Sequence, residues 1–309
     1  MSARAQALRG HAAMLLFSAL VAGSFSLGAR AAPLIDPAAI TAIRFVIAAG
    51  VIGGVALVVG PGLPRAAFRA PWRYLLLGGV FSCYFVLMFQ GLKTAAPVSA
   101  SAVFTLTPLM AAGFGWVLMR QRMTGRMALA LVLGGLGALW VIFRGDLAAM
   151  ARLEFGGGEA VYLAGCVAHA LYTPLVRKLN RGENPIVFTF GTLVAGAVLL
   201  ILWGWDGIRS TDWFALPAIV WVALFYVAIF ASAVTFVLVQ YATLRLPAAK
   251  VMAYTYLTPV WVIALEAAMG QGLPGWSVLP GIVVTLLALW MLLAEDEPAR
   301  AAPPAVTQA

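Results

Sequence analysis

Residues 96–118 read APVSASAVFTLTPLMAAGFGWVL and residues 248–269 read AAKVMAYTYLTPVWVIALEAAM, so that Leu106-Thr107-Pro108 returns as Leu257-Thr258-Pro259, 151 positions on. Each stretch is mostly apolar and long enough to cross a bilayer, which takes roughly 20 residues of helix. Each also carries a proline near its middle, which removes one backbone N–H and breaks or kinks the helix there. The same device met twice at one offset suggests two copies of one membrane unit. Outward from these stretches the offset holds. Gly10 and Gly158, Arg30 and Lys178, and Asp36-Pro37 and Asn184-Pro185 lie 148 apart, while Ala138-Leu139-Trp140 and Ala288-Leu289-Trp290 lie 150 apart, as do Asp146 and Asp296.

Apolar runs of spanning length fall at 11–29, 37–59, 73–92, 96–118, 127–143, 158–176, 185–204, 214–241, 248–269 and 275–294. Turn-forming residues separate them: Pro33, Asp36 and Pro37, the Pro- and Arg-containing segment 60–71, and Gly156-Gly157-Gly158. The reading is an all-α integral membrane protein with ten transmembrane helices in two five-helix repeats. Its parts are a cytoplasmic N-terminus over 1–10, a first repeat over 11–144, an external linker over 145–157, a second repeat over 158–294 and a disordered tail over 295–309. Because five is odd, the second repeat enters inverted. Fourteen of the 20 Lys and Arg residues fall in alternate loops and termini that would face the cytoplasm, five in those opposite, and Arg44 within a span. The positive-inside bias therefore predicts N-in, C-in. Residues 1–31 carry signal-peptide features, but their match to the sixth helix argues that they are a lasting span.

Composition agrees. The chain of 309 residues is 63% hydrophobic and 10% charged, with a mean hydropathy of +0.98. Soluble domains need about 25% charged residues to meet water. The net charge of +9 sits in short clusters between apolar runs, which argues against a nucleic-acid partner. Cys83 and Cys166 lie inside apolar runs and read as packing residues rather than a disulfide.

Ten helices in two inverted units, with Arg44 in the second helix, Leu106-Thr107-Pro108-Leu109 and Leu257-Thr258-Pro259-Val260 in the fourth and ninth, and Gly134, Gly135 and Gly137 in the fifth, resemble the EamA-type carriers of the drug/metabolite transporter superfamily. The resemblance covers roughly residues 10–295. It implies a bacterial inner-membrane exporter of small metabolites, often amino acids, with helices 1–4 and 6–9 around a cavity and helices 5 and 10 at the periphery. The second unit departs from the pattern, with Thr192 in the place of Arg44.

Arg44 is the first candidate for substrate contact. An arginine at the centre of a span costs about 2.5–3.5 kcal/mol on insertion scales, so it should face protein or a water-filled cavity. Seven residues from Pro37, it lies about 10 Å inside the helix end. Three roles fit it: binding a substrate carboxylate, a structural ion pair, and snorkelling to the interface. Glu266 is at a comparable depth and is the natural partner for a gate. His169 shares a helical stripe with Tyr162, Cys166 and Thr173, opposite Met14, Ser18, Val21 and Phe25 of the first helix. It suits substrate binding, carriage of a coupling proton or simple packing. Tyr254, Thr258 and Trp261 follow helical spacing in the ninth helix, and Gln90 and Gln240 end the third and eighth. Pro108 and Pro259 read as hinges or as static kinks. Gly50 and Gly54 suggest one close-packing face, and Gly134 with Ala138 another.

Zinc-protease, phosphate-loop and nucleophile-elbow motifs do not occur, and the two histidines stand away from other ligands, so neither an enzyme nor a metal site is expected. No cofactor is expected either. The function expected is secondary transport of a small-molecule substrate, amino acids first, through a central cavity by alternating access. The protein is read as a monomer in the lipid bilayer, with protons as the candidate coupling ion. The competing functions are export of drugs, nucleosides or other organic solutes, and a channel-like facilitator.

Overall fold

The computed structural model describes residues 3–120, 123–152, 155–243, 251 and 253–294. Among these, nine helices are long and apolar enough to cross a membrane. The spans are α1 (Ala3–Ala31), α2 (Pro37–Val58), α3 (Trp72–Leu92), α4 (Pro97–Met119), α5 (Gly125–Ile142), α6 (Gly157–Leu179) and α7 (Pro185–Trp203). They continue as α8, which runs from Ala218–Phe225 through a π-helical stretch, Tyr226–Val234, into Thr235–Thr243. The last two helices are α9 (Thr258–Ala268) and α10 (Leu279–Leu293). The predicted ninth span, 248–269, begins outside the described residues, and its described helix has 11 residues. Gln240, Asp296 and the tail over 295–309 also lie outside what is described, Gln240 by its side chain.

Local chemistry sets the helix ends. Asp36 caps α2 by accepting from the Ala38 and Ala39 N–H groups at 2.9 Å, with Pro37 in the first turn. Asn184 caps α7 from the matching place, accepting from the Ile186 N–H at 2.9 Å, and Pro185 follows it. A proline in the first turn loses nothing, because its N–H would have had no partner there. Two boundaries differ from expectation. Helix α1 starts at Ala3, inside the segment read as the cytoplasmic N-terminus, and the linker contains a short helix, Leu147–Ala151.

Both Thr-Pro motifs interrupt their helices. Helix α4 is made of Pro97–Phe104 and Thr107–Met119. Pro108 cannot donate to the Phe104 carbonyl, and the turn before it tightens: the Thr105 and Leu106 N–H groups reach Ala102 and Val103 at 3.0 and 3.1 Å. A 3-10 turn, Tyr254–Leu257, stands in the same place ahead of α9 and Pro259.

The packing respects the repeat. Helix α3 lies on α6 as α8 lies on α1, and α4 lies on α6 as α9 lies on α1. Helices α2 and α7 pair with each other, as do α5 and α10. The α5–α10 contact brings backbones together, since a Cβ at Gly137 would fall 2.7 Å from the Gly281 carbonyl oxygen. Gly50 and Gly54, read as a packing face, are exposed with nothing near them; Gly53 makes the close contact, against Phe190. Large apolar side chains such as Leu57, Val58, Leu202 and Leu287 cover the outside, and Trp72, Trp203 and Trp276 stand exposed at helix ends. Such a surface suits lipid, with indoles at its margins.

Candidate functional site

Arg44 is 1% exposed in the middle of the bundle. Helix α2 presents it to α8, where the Ser232 hydroxyl accepts from Nε at 3.1 Å and from Nη2 at 3.0 Å. Nη2 also donates to the Ala231 carbonyl at 3.4 Å, and the Phe85 ring lies 3.6 Å from the guanidinium carbon. The remaining nitrogen, Nη1, is buried without a partner among the described residues. The cation is therefore held by neutral groups and a ring face, and no carboxylate among the described residues is bonded to it.

Aromatic rings extend from Phe85. Tyr84 is 4.6 Å from it and 4.5 Å from His169, centre to centre. The Tyr84 and Tyr162 hydroxyls share a hydrogen bond of 3.1 Å. Tyr162 meets Phe25 of α1 edge-on at 5.9 Å, so the expected opposition of the α1 and α6 faces holds at this pair. His169 lies against Tyr84, Phe104 and Phe81, and its Nδ1 has no partner.

A second polar group joins α1 to α9. Trp261 Nε1 donates to the Ser18 hydroxyl at 3.0 Å, and Ser18 in turn donates to the Leu15 carbonyl. Tyr254 shares a hydrogen bond of 2.9 Å with His11 Nδ1. The Thr258 hydroxyl is buried and unpartnered. Gln90 is exposed. Glu266 does not pair with Arg44: its Oε1 is buried without a partner, while Arg44 is taken by Ser232. Equal depth in a bilayer sets height but not direction around the helix, and these two side chains are not bonded to each other.

The ion pair among the described residues is elsewhere. Arg73, in the first turn of α3, meets Glu183 of the α6–α7 loop at 2.6 Å, with side chains 3% and 9% exposed. Arg73 also donates to the Leu179 and Ala67 carbonyls. Burial alone would raise the Glu183 carboxyl. The hydrogen bond from Arg73 and the backbone N–H of Arg181 outweigh it and hold the group below its ordinary 4.5. Sequence reasoning missed this tie, and it missed Ser232 and Phe85. Arg73 read as one of many positive-inside residues, Ser232 as a small residue in an apolar run, and Phe85 as core.

At the end of the bundle nearest Arg44, a surface groove of about 510 Å³ is lined by Ile35, Asp36, Lys93, Asp212 and Pro217. The segments leading into α2 and α8 meet there, beside Lys93 at the end of α3.

Among the described residues, nine helices of spanning length pack in a twofold pattern around a buried cation, as in a multi-pass membrane protein. The chain belongs to the EamA-like transporter family, whose model matches it twice, over residues 8–143 and 157–294. It is similar to the uncharacterized transporter YyaM of Bacillus subtilis, 27% identical over 276 residues, 88% of this chain and 90% of that one. It is similar also to the uncharacterized transporter YvbV of the same organism, at 23% over 81% and 82% of the two chains. An uncharacterized transporter of Archaeoglobus fulgidus is 28% identical over 57% and 60%. A solved crystal structure superposes with a TM-score of 0.67 at 21% identity, over 94% of this chain and 96% of the other, a likeness of fold.

Proposed function

We propose that the protein is a secondary exporter of small metabolites, amino acids first among them, in a bacterial inner membrane. It works by alternating access, with the cargo held between the two repeats and its acid group on Arg44. The observation that carries this reading is the state of Arg44: a buried guanidinium, bonded only to neutral groups, with Nη1 open. An uncompensated buried cation is costly, and a bound carboxylate would offset that cost while completing the donor set. His169 and the surrounding rings supply an amphipathic wall for the rest of the cargo. His169 and Glu266, each with an open buried atom, are the groups suited to a coupling proton.

The test is counterflow in liposomes with a panel of labelled amino acids. Saturable exchange by the wild type that is lost in a folded Arg44→Ala variant supports the reading. Exchange that persists unchanged in the variant, or its absence for every amino acid in the wild type, refutes it.

A further inference from the structure

A guanidinium has five N–H donors. In Arg44 three of them are engaged: Nε and one N–H of Nη2 by the Ser232 hydroxyl, the second N–H of Nη2 by the Ala231 carbonyl. Both donors on Nη1 are left over. Ser232 has no freedom of its own. Its proton goes to the Val227 carbonyl at 2.7 Å, five residues back, and its oxygen faces Arg44. In a regular α-helix a serine hydroxyl turned onto its own backbone reaches the carbonyl four residues back. Here the π-helical stretch Tyr226–Val234 widens the turn and moves that anchor to residue 227. Such stretches gather at functional sites.

Ser232 belongs to the second repeat and Arg44 to the first. A serine needed only to satisfy a structural arginine would leave no reason for two buried donors to stay open, since buried polar groups in proteins nearly always find partners.

We propose that Ser232 is the positioning residue of the substrate site, fixing the Nε/Nη2 edge of Arg44 so that Nη1 is presented to the cargo. The proposal rests on the reading of Arg44 as the acid-binding residue. It also narrows what Arg44 grips. With the Nε/Nη2 edge occupied, the usual two-pronged pairing with a carboxylate at that edge is closed, and one acid oxygen is held end-on by Nη1. Without the hydroxyl the guanidinium turns on its stem, and the cargo loses an aligned partner.

Proteoliposomes carrying wild type, Ser232→Ala, Ser232→Thr and Arg44→Ala are compared for uptake of tritiated leucine against internal leucine. Each protein is first checked for monodispersity and melting temperature. Ser232→Ala is expected to raise KM roughly ten-fold, the scale of one hydrogen bond to a charged group, with the maximal rate held within about two-fold. Ser232→Thr, which keeps the hydroxyl, restores KM. If Ser232→Ala does not fold, Ser232→Cys replaces it, with a smaller rise in KM expected. An unchanged KM beside a lower melting temperature makes Ser232 structural and overturns the proposal alone, as does a threonine variant that behaves like alanine. Normal exchange by Arg44→Ala overturns the Arg44 reading and this proposal with it, as does a wild type that exchanges neither leucine nor, with the same assay repeated across the panel, any other amino acid.

Discussion

The Arg44 guanidinium and the Ser232 hydroxyl join the two repeats at the centre of the bundle through bonds of 3.1 and 3.0 Å from Nε and Nη2 to one oxygen. The geometry needs a planar fork, and an ammonium cannot replace it. Arg44→Lys keeps the charge and has three donors, but a tetrahedral ammonium on a different stem cannot make the paired contact to the Ser232 oxygen that fixes the direction of the donor left for the cargo. Counterflow by Arg44→Lys is expected to fall at least ten-fold, close to the alanine variant. A lysine variant that exchanges at the wild-type rate would show that charge alone suffices.

The Arg73–Glu183 pair carries a pH signature. The folded Glu183 carboxyl titrates below its ordinary 4.5, so the native state binds fewer protons there than the unfolded chain. Its contribution is complete above that value and is lost as pH falls through the depressed folded one. Glu183→Gln leaves Arg73 buried and unpaired, at a cost of about 3 kcal/mol. In melts from pH 7 down to pH 3, the stability gap between wild type and Glu183→Gln should be widest near neutrality and shrink below about pH 4.5. A gap that does not vary with pH counts against the pair.

Glycine positions in α2 and α5 differ sharply. A side chain at Gly137 would strike the Gly281 backbone and the Thr285 hydroxyl at 2.7 and 2.6 Å, whereas nothing lies within 4 Å of a Cβ at Gly50. Gly137→Leu should lower the melting temperature by several degrees or prevent recovery of folded protein, an overpacking cost of about 1–3 kcal/mol or more. Gly50→Ala should melt at or slightly above wild type, since alanine favours helix by about 1 kcal/mol.

Trp261→Phe keeps a ring between α1 and α9 but removes the donor to Ser18. The loss expected is about 0.5–1.5 kcal/mol in stability. Ser18→Ala in the same background should add little, because the bond is already gone. A double-mutant cycle measures this, and additive losses would mean the two side chains act independently.

A hinge role for the break ahead of Pro108 is tested by closing the break. Pro108→Ala restores a donor for the Phe104 carbonyl and lets α4 run through. The variant is expected to be at least as stable as wild type and several-fold slower in exchange. Equal rates would make the break a static feature.

Much of the architecture was legible in the sequence, because lipid imposes a simple rule: long apolar runs, broken by turn residues, with charges at their ends. The caps at Asp36 and Asn184 and the breaks at Pro108 and Pro259 follow from side-chain and backbone chemistry that acts within one turn. Arg44 stood out because a charge inside an apolar run has few explanations. What sequence could not supply was direction around each helix. Distance along the spans put Arg44 and Glu266 at similar heights and suggested a pair that the structure does not make, and spacing chose Gly50 and Gly54 where Gly53 makes the contact. The π-helical stretch of α8 has no hydropathy pattern of its own, so Ser232 looked like any small residue in a membrane run.

The self-paired contacts bear on how such a chain arose. Among the described residues helix α2 meets α7, α4 meets α9 and α5 meets α10, each helix meeting its own counterpart, while the α3–α6 and α4–α6 contacts have their twins in α8–α1 and α9–α1. A single ancestral unit of half this length, pairing with a second copy of itself, would have made the same set: its second helix on its second, its fourth on its fourth, its fifth on its fifth. In the present chain the segment between the two matched units joins them and also packs on the core, with Phe155 against Phe143 at 5.0 Å. Once tethered, the halves were free to diverge, and an arginine could be kept on one side with threonine at the corresponding place on the other.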